Sequence, residues 1–285
     1  MTNTTTTTLA ECIPTIVASA MLELDEGDIV RPLVNQIDFS GQPGVTHQTP
    51  FVKKLTSEAD DSLTAQALDS TTDEETSPSE ATVGVHGAYV QLKDIANLGS
   101  VDDMAAIAGK LIAQCIVKRW DLDLVTLFAS LTTNQGAAAT NITPADLYDA
   151  YGSLRTYFAP LPYNLVMHPQ QIWSSVGLIS LFDNSADAIQ TQGPGTVGED
   201  WARNGWAGMA LGFSLYADAN ITLTSSNGSG AAFSRDAFKF VRKRGLQFEI
   251  ERDTAEVANK IVGTEIHGEA ILRNKHGNEM QFDTV

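Results

Sequence analysis

Apolar residues recur at helical spacing between Ser100 and Leu131. Met104, Ile107, Ala108, Leu111, Ile112, Cys115 and Ile116 are continued by Trp120, Leu124, Leu127, Phe128 and Leu131. A helix of that span extends roughly 45 Å at ~1.5 Å per residue, which predicts a spine rather than an ordinary packed helix. Ser100 and Asp103 stand where a capping pair would begin it. A second helix is predicted from Thr143, with Pro144 at its first position and Asp146 in its first turn. Its apolar face is Leu147, Tyr151, Leu154 and Phe158, and Pro160 and Pro162 stop it. A strand follows over Asn164 to Met167, and Pro169 then opens a further helix with His168 at its start. Alternation of apolar and polar residues predicts strands over His47 to Leu55, Thr82 to Leu92, Phe238 to Ile250 and Lys260 to Leu272. Asn274 to Gly277 is a turn, and Gly- and Ser-rich turns fill Gly193 to Gly230.

The first 39 residues, rich in threonine and interrupted by Pro14 and Pro32, read as an arm. Between the first two predicted strands lies an acidic stretch containing Glu58, Asp60, Asp61, Asp69, Asp73, Glu74, Glu75 and Glu80. Strand, solvated acidic tip and strand make a long hairpin. A lone hairpin is marginal in water, so this one has to lie on another surface.

Composition narrows the function classes. The 285 residues are 43% hydrophobic and 19% charged, enough for a substantial core. A formal net charge of −17 disfavours sequence-independent nucleic-acid binding, which depends on Lys and Arg neutralising phosphates. No run approaches the ~18 apolar residues of a membrane helix. Met1, Thr2, Asn3 and the threonine tract lack the basic-then-apolar order of an export signal, so export is not expected. Cys12 and Cys115 read as free thiols.

Candidate chemistry is sparse. Gly193-Pro194-Gly195-Thr196-Val197-Gly198 spells GxGxxG, but it follows loop-like residues rather than a strand, so a flexible loop is expected and no cofactor. His47, His86, His168, His267 and His276 form no HExxH, and neither cysteine has a CxxC partner, so no metal is expected. His168 fits a helix start, and the other four histidines fit surface or turn positions. Asp121 and Asp123 are two apart and do not share a helix face, which disfavours a paired-carboxylate site. The acidic loop lacks EF-hand spacing. Its natural complement is basic: Arg242, Lys243 and Arg244, with Lys53, Lys54 and Lys118.

The order arm, acidic hairpin, spine helix and mixed remainder resembles the major capsid proteins of tailed bacteriophages with the Hong Kong 97-type fold. Val83 to Asp103 (VGVHGAYVQLKDIANLGSVDD) is similar to that family's junction from extended loop into spine helix. Val117 to Phe128 (VKRWDLDLVTLF) is similar to its later spine, and Asn164 to Val176 (NLVMHPQQIWSSV) to the strand and helix that begin its apical domain. Ala231 to Asp253 (AAFSRDAFKFVRKRGLQFEIERD) resembles the segment leading into the peripheral strands, and Ile261 to Leu272 (IVGTEIHGEAIL) the closing apical strand. The resemblance spans roughly residues 38 to 275.

It implies an α+β fold with an arm over 1–39, an extended loop over 40–97, a peripheral domain with the spine over 98–159 and 237–255, and an apical domain over 160–236 and 256–285. It also implies a non-enzymatic structural protein of the virion. Such a protein assembles in the bacterial host cytoplasm as pentamers and hexamers around double-stranded DNA, which it encloses without specific binding. A separate scaffolding protein, a portal and cement proteins are the partners so implied. Expected assembly contacts are Lys53, Lys54, Glu58, Asp60, Asp61, Asp73, Glu74, Glu75, Lys118, Arg242, Lys243 and Arg244. Some relatives crosslink through lysine and asparagine; no motif carries that reaction over to Lys53 or Lys54. An encapsulin-like cargo compartment and an acidic cytoplasmic enzyme are the alternatives.

Overall fold

The computed structural model describes residues 28–50, 79–94, 104–174, 177–178, 206–210 and 212–284. Its first sheet is built around two long antiparallel strands, β11 (Phe238–Asp253) and β12 (Ala258–Ile271). β4 (Gly84–Lys93) adds antiparallel to β12, and β1 (Asn35–Asp38) adds parallel to β11, giving the order β1-β11-β12-β4. Helix α1 (Met104–Thr126) lies on one face of this sheet. Because strand side chains alternate, that face receives Ala88, Val90 and Leu92 from β4, Phe238, Phe240 and Phe248 from β11, and Ile261 from β12. The helix answers with Ala108, Ile112, Ile116, Trp120 and Leu124 at i, i+4 spacing. Gly263 sets how closely the two approach, since a Cβ there would lie 2.5 Å from Ile112 Cγ2.

The second sheet runs β5 (Asn134–Gly136), β13 (Gly277–Asp283), β10 (Asn227–Ser234), β6 (Tyr163–Met167), β8 (Phe213–Ala217) and β7 (Trp206–Ala210), with β9 (Leu223–Thr224) beside β10. All five residues of β6 are buried because the sheet is covered on both faces. Tyr163, Leu165 and Met167 enter a core with Leu147, Ala150 and Leu154 of α2 (Pro144–Thr156). Val166, Ala231 and Phe233 point the other way, into the core beneath α1. β6 and β10 therefore act as the wall between two cores. α2 starts at the predicted Thr143, on a capping box in which Thr143 Oγ1 accepts from the Asp146 N–H and Asp146 Oδ2 accepts from the Thr143 N–H. α3 (Pro169–Trp173) is capped by His168, whose Nδ1 accepts the Gln170 N–H at 3.1 Å. Its Gln171 donates to the carbonyls of Gly228 and Phe282, both at 2.8 Å, and so ties the helix to β10 and β13.

Several sequence expectations change. Among the described residues α1 runs over Met104–Thr126 and ends short of the predicted Leu131, where a 3-10 turn over Phe128–Ser130 follows it. The apolar positions of α1 divide into two stripes. Ile107, Leu111 and Cys115 face outward, with Ile107 40% and Leu111 52% exposed. Phe158 leaves the predicted apolar face of α2: the helix ends at Thr156, and Phe158 sits at φ 56° and 76% exposed. The run from Thr82 is broken at Val83, where the chain passes from β3 (Ser79–Thr82) into β4. Domain membership also moves. β12 pairs in the spine-helix sheet, so only Gly277–Asp283 of the segment 256–285 joins the second sheet, while α2 packs with the second core rather than with the spine. The arm's last residues supply β1. The Ser100–Asp103 cap, the GxGxxG run and Cys12 lie outside the described residues.

Candidate assembly surfaces and a buried polar seam

The base of the predicted hairpin is present. β2 (Thr46–Thr49) pairs antiparallel with β3, from Thr46 opposite Thr82 to Thr49 opposite Ser79. It is fastened to the first sheet in three ways. Phe39, Ala81, Val83 and Val241 form a small apolar cluster. The Ser79 hydroxyl donates to the Ile271 carbonyl at 2.6 Å. Lys239 of β11, fully buried, donates from Nζ to the Ser79 carbonyl at 2.6 Å, Thr49 Oγ1 at 3.1 Å and the His47 carbonyl at 3.4 Å. Burial pulls this ammonium down to about 8, against the opposing effect of Glu80. Lys239→Met keeps the stem and removes the donors, leaving three acceptors short of a partner. Global stability should fall by about 1–3 kcal/mol, and amide exchange should accelerate at residues 46–49 and 79–82 above all. Uniform exchange across the first sheet would refute a clamping role.

Of the expected assembly contacts, Lys53, Lys54, Glu58, Asp60, Asp61, Asp73, Glu74 and Glu75 lie outside the described residues. Lys118 is exposed on α1, and Arg242 is exposed opposite Asp38. The neighbouring basic residues have partners within the chain. Lys243 donates to the Gly44 carbonyl and stands 5.2 Å from the Phe39 ring centre, and Arg244 donates to Thr264 Oγ1 at 2.9 Å. The pairing of β11 with β12 is irregular between Arg242 and Gln247, the stretch that carries these side chains. Large apolar side chains are also left at the surface: Val85 and Tyr89 on the outer face of β4, Ile107 and Leu111 on α1, and Phe158 with Leu161 after α2.

Beneath α1 lies a polar group that no metal or catalytic motif marks in the sequence. Within β12, Ile261, Gly263, Glu265, His267, Glu269 and Ile271 share the helix-facing side, so three polar residues occupy core-facing positions. His267 and Glu265 are fully buried. This corrects the surface-or-turn expectation for His267, because strand alternation turns it inward. His267 stacks on His86 at 4.0 Å and on Phe240 at 5.3 Å between ring centres. Trp120 meets it edge-on at 6.3 Å, and its Nε2 lies 3.7 Å from Asp123 Oδ2. Arg119 donates to that same oxygen at 2.8 Å. Neither ring nitrogen of His267 and neither oxygen of Glu265 has a hydrogen-bond partner among the described residues, and the Trp120 N–H approaches Glu265 without completing a bond.

Burial decides the charge states in this seam. It pushes Glu265 up to about 7, against Arg242 and Arg31, and Glu269 up to about 7 with help from Asp123. It pulls His267 down to about 3, with His86 and Arg119 adding to the shift, so the imidazole is neutral near neutral pH. On a different face of the same helix, burial and then the charges of Asp218 and Asp28 hold Asp121 well above the usual carboxylate range. Asp121 accepts the Val30 N–H at 3.3 Å and the Ile29 N–H at 3.4 Å, anchoring the incoming segment to the spine. A signal for the seam exists in the sequence, since Glu265, His267 and Glu269 alternate within a strand whose flanking alternate positions are apolar. What faces them is not legible there.

No family model matches the chain, and no curated protein is similar to it in sequence. Solved structures do match. A chain from Mycobacterium phage Che8 superposes with TM-score 0.65 at 17% identity, over 89% of this chain and 91% of that one. The capsid of Ralstonia phage GP4 gives 0.63 at 11% identity, over 90% and 88%. The holo-SrpI encapsulin complex from Synechococcus elongatus PCC 7942 gives 0.57 at 12% identity, over 90% and 86%. At these identities the likeness is one of fold: the chain has the mixed α+β fold found in phage capsids and in an encapsulin.

Proposed function

We propose that the protein is a structural shell subunit that self-assembles, and that its shell is the icosahedral capsid of a tailed phage enclosing double-stranded DNA. The observation that carries this reading is a fold shared with the capsid of a phage, Ralstonia phage GP4, over about nine-tenths of both partners. The surface agrees with it. A hairpin base fastened by a buried lysine is suited to carrying an extended loop onto a neighbour, and exposed Val85, Tyr89, Ile107 and Leu111 offer apolar area for repeated weak contacts. A net charge of −17 suits a wall along which packaged DNA slides rather than sticks. Pentamers and hexamers would be the units, with scaffolding and portal proteins as partners.

An encapsulin-type compartment is the second reading, since a holo-encapsulin complex shares the fold. Electron microscopy of the protein, expressed alone and with its genomic neighbours, separates the outcomes. Closed particles or five- and six-membered rings are expected. Particles loaded with DNA favour the capsid, and particles loaded with a protein cargo favour the compartment. Monomers alone under both conditions refute a shell role.

A further inference from the structure

We infer that His86, Asp123 and His267 form a binding site for a divalent transition-metal ion of the zinc class, joining β4, α1 and β12. The three ligand atoms lie within 4.8 Å of one another, although the residues come from three separate elements. Each choice of residue suits such an ion: two imidazoles and a carboxylate are the donors borderline metals prefer. His267 is fully buried with both ring nitrogens unpartnered, an arrangement that proteins rarely leave uncompensated. Asp123 is already oriented by Arg119, in the way outer-shell partners hold metal-binding carboxylates.

Space and access agree with the site. The strand partner of His267 is Gly84, where a Cβ would stand 3.3 Å from His86 Nε2. A glycine there leaves the His86 ring room to move. The two imidazoles are stacked, 23° from parallel, so as they stand they do not both aim an in-plane lone pair at one ion. Binding requires the half-buried His86 to turn about χ2 until a nitrogen faces Asp123. The ion would then tie the strand leaving the hairpin to the spine helix, whether or not the chain assembles.

The test is titration of chelator-stripped protein with Co2+, read by its visible ligand-field bands, followed by competition with Zn2+ and thermal melting. One ion per chain is expected, with bands of a nitrogen- and oxygen-ligated site and a raised melting temperature. His86→Ala and Asp123→Asn should each weaken Co2+ binding by about tenfold or more. His86→Gln keeps the bulk of the ring should the alanine variant fold poorly. X-ray absorption of the zinc-loaded wild-type chain should show imidazole scattering. Failure of the folded wild-type protein to take up a stoichiometric ion overturns the site, as does unchanged binding in both His86 variants.

Discussion

Trp120→Ala is expected to lower the folding free energy by about 3–5 kcal/mol, the cost of emptying a large aromatic position at a site that cannot collapse. Trp120 is 2% exposed, and its ring is enclosed on several sides. Phe240 meets it at 6.0 Å and His267 at 6.3 Å, and the Arg31 guanidinium covers it at 4.3 Å from the ring centre. Helix, sheet and incoming segment therefore all lose contacts together. The backbone cannot close the gap, because α1 is already held at contact distance from the sheet at Gly263. Urea denaturation of the wild type and variant measures the effect, with Trp120→Phe expected to fall between them. A loss under about 1 kcal/mol would show that the helix–sheet seam is not a cooperative core.

Acidification from about pH 8 to about pH 5 should stabilise the chain, by on the order of 3 kcal/mol. Glu265 and Glu269 titrate near 7 in the folded protein, and burial also raises Asp121 and Asp218. Over the range between their ordinary values and these raised ones, the folded chain holds protons that the unfolded chain has released. Their stabilisation is complete at low pH and is lost as pH rises through about 7.

His267 acts in the opposite sense. Its folded value is about 3, so it costs stability as pH falls from its ordinary 6.5 toward 3. One histidine against four carboxylates leaves acidification stabilising above about pH 5. Lys239, lowered to about 8, adds stability only at higher pH and does not enter this window. Urea midpoints measured across this range with a chelator present check the sign. Asp121→Asn should flatten the curve while keeping the side chain's shape. A midpoint rising steadily from pH 5 to pH 8 would contradict the buried, protonated seam.

Much of the architecture is legible in the chain because it rests on local rules. Pro144 behind Thr143, and Pro169 behind His168, fix two helix starts through caps that involve only the next three residues. Period-2 alternation marks β11 and β12 because a strand with one face buried must alternate. The mixed α+β character is legible for the same reason, and the fold shared with a solved phage capsid over about nine-tenths of the chain agrees with it.

Tertiary structure decided what depends on which faces meet. Two apolar stripes wind along α1, and the sequence does not say which is buried; packing against Phe240 and Ile261 selects Ala108, Ile112, Ile116 and Trp120 and leaves Ile107 and Leu111 outside. β12 joins the spine-helix sheet because its edges are taken by β11 and β4, a pairing choice between distant segments. The same pairing brings His86 and His267 under Asp123. Spacing rules for metals and catalytic pairs read one element at a time, whereas this cluster takes one residue from each of three. Its existence depends on strand register, where a shift of a single residue would turn His86 to the opposite face of the sheet.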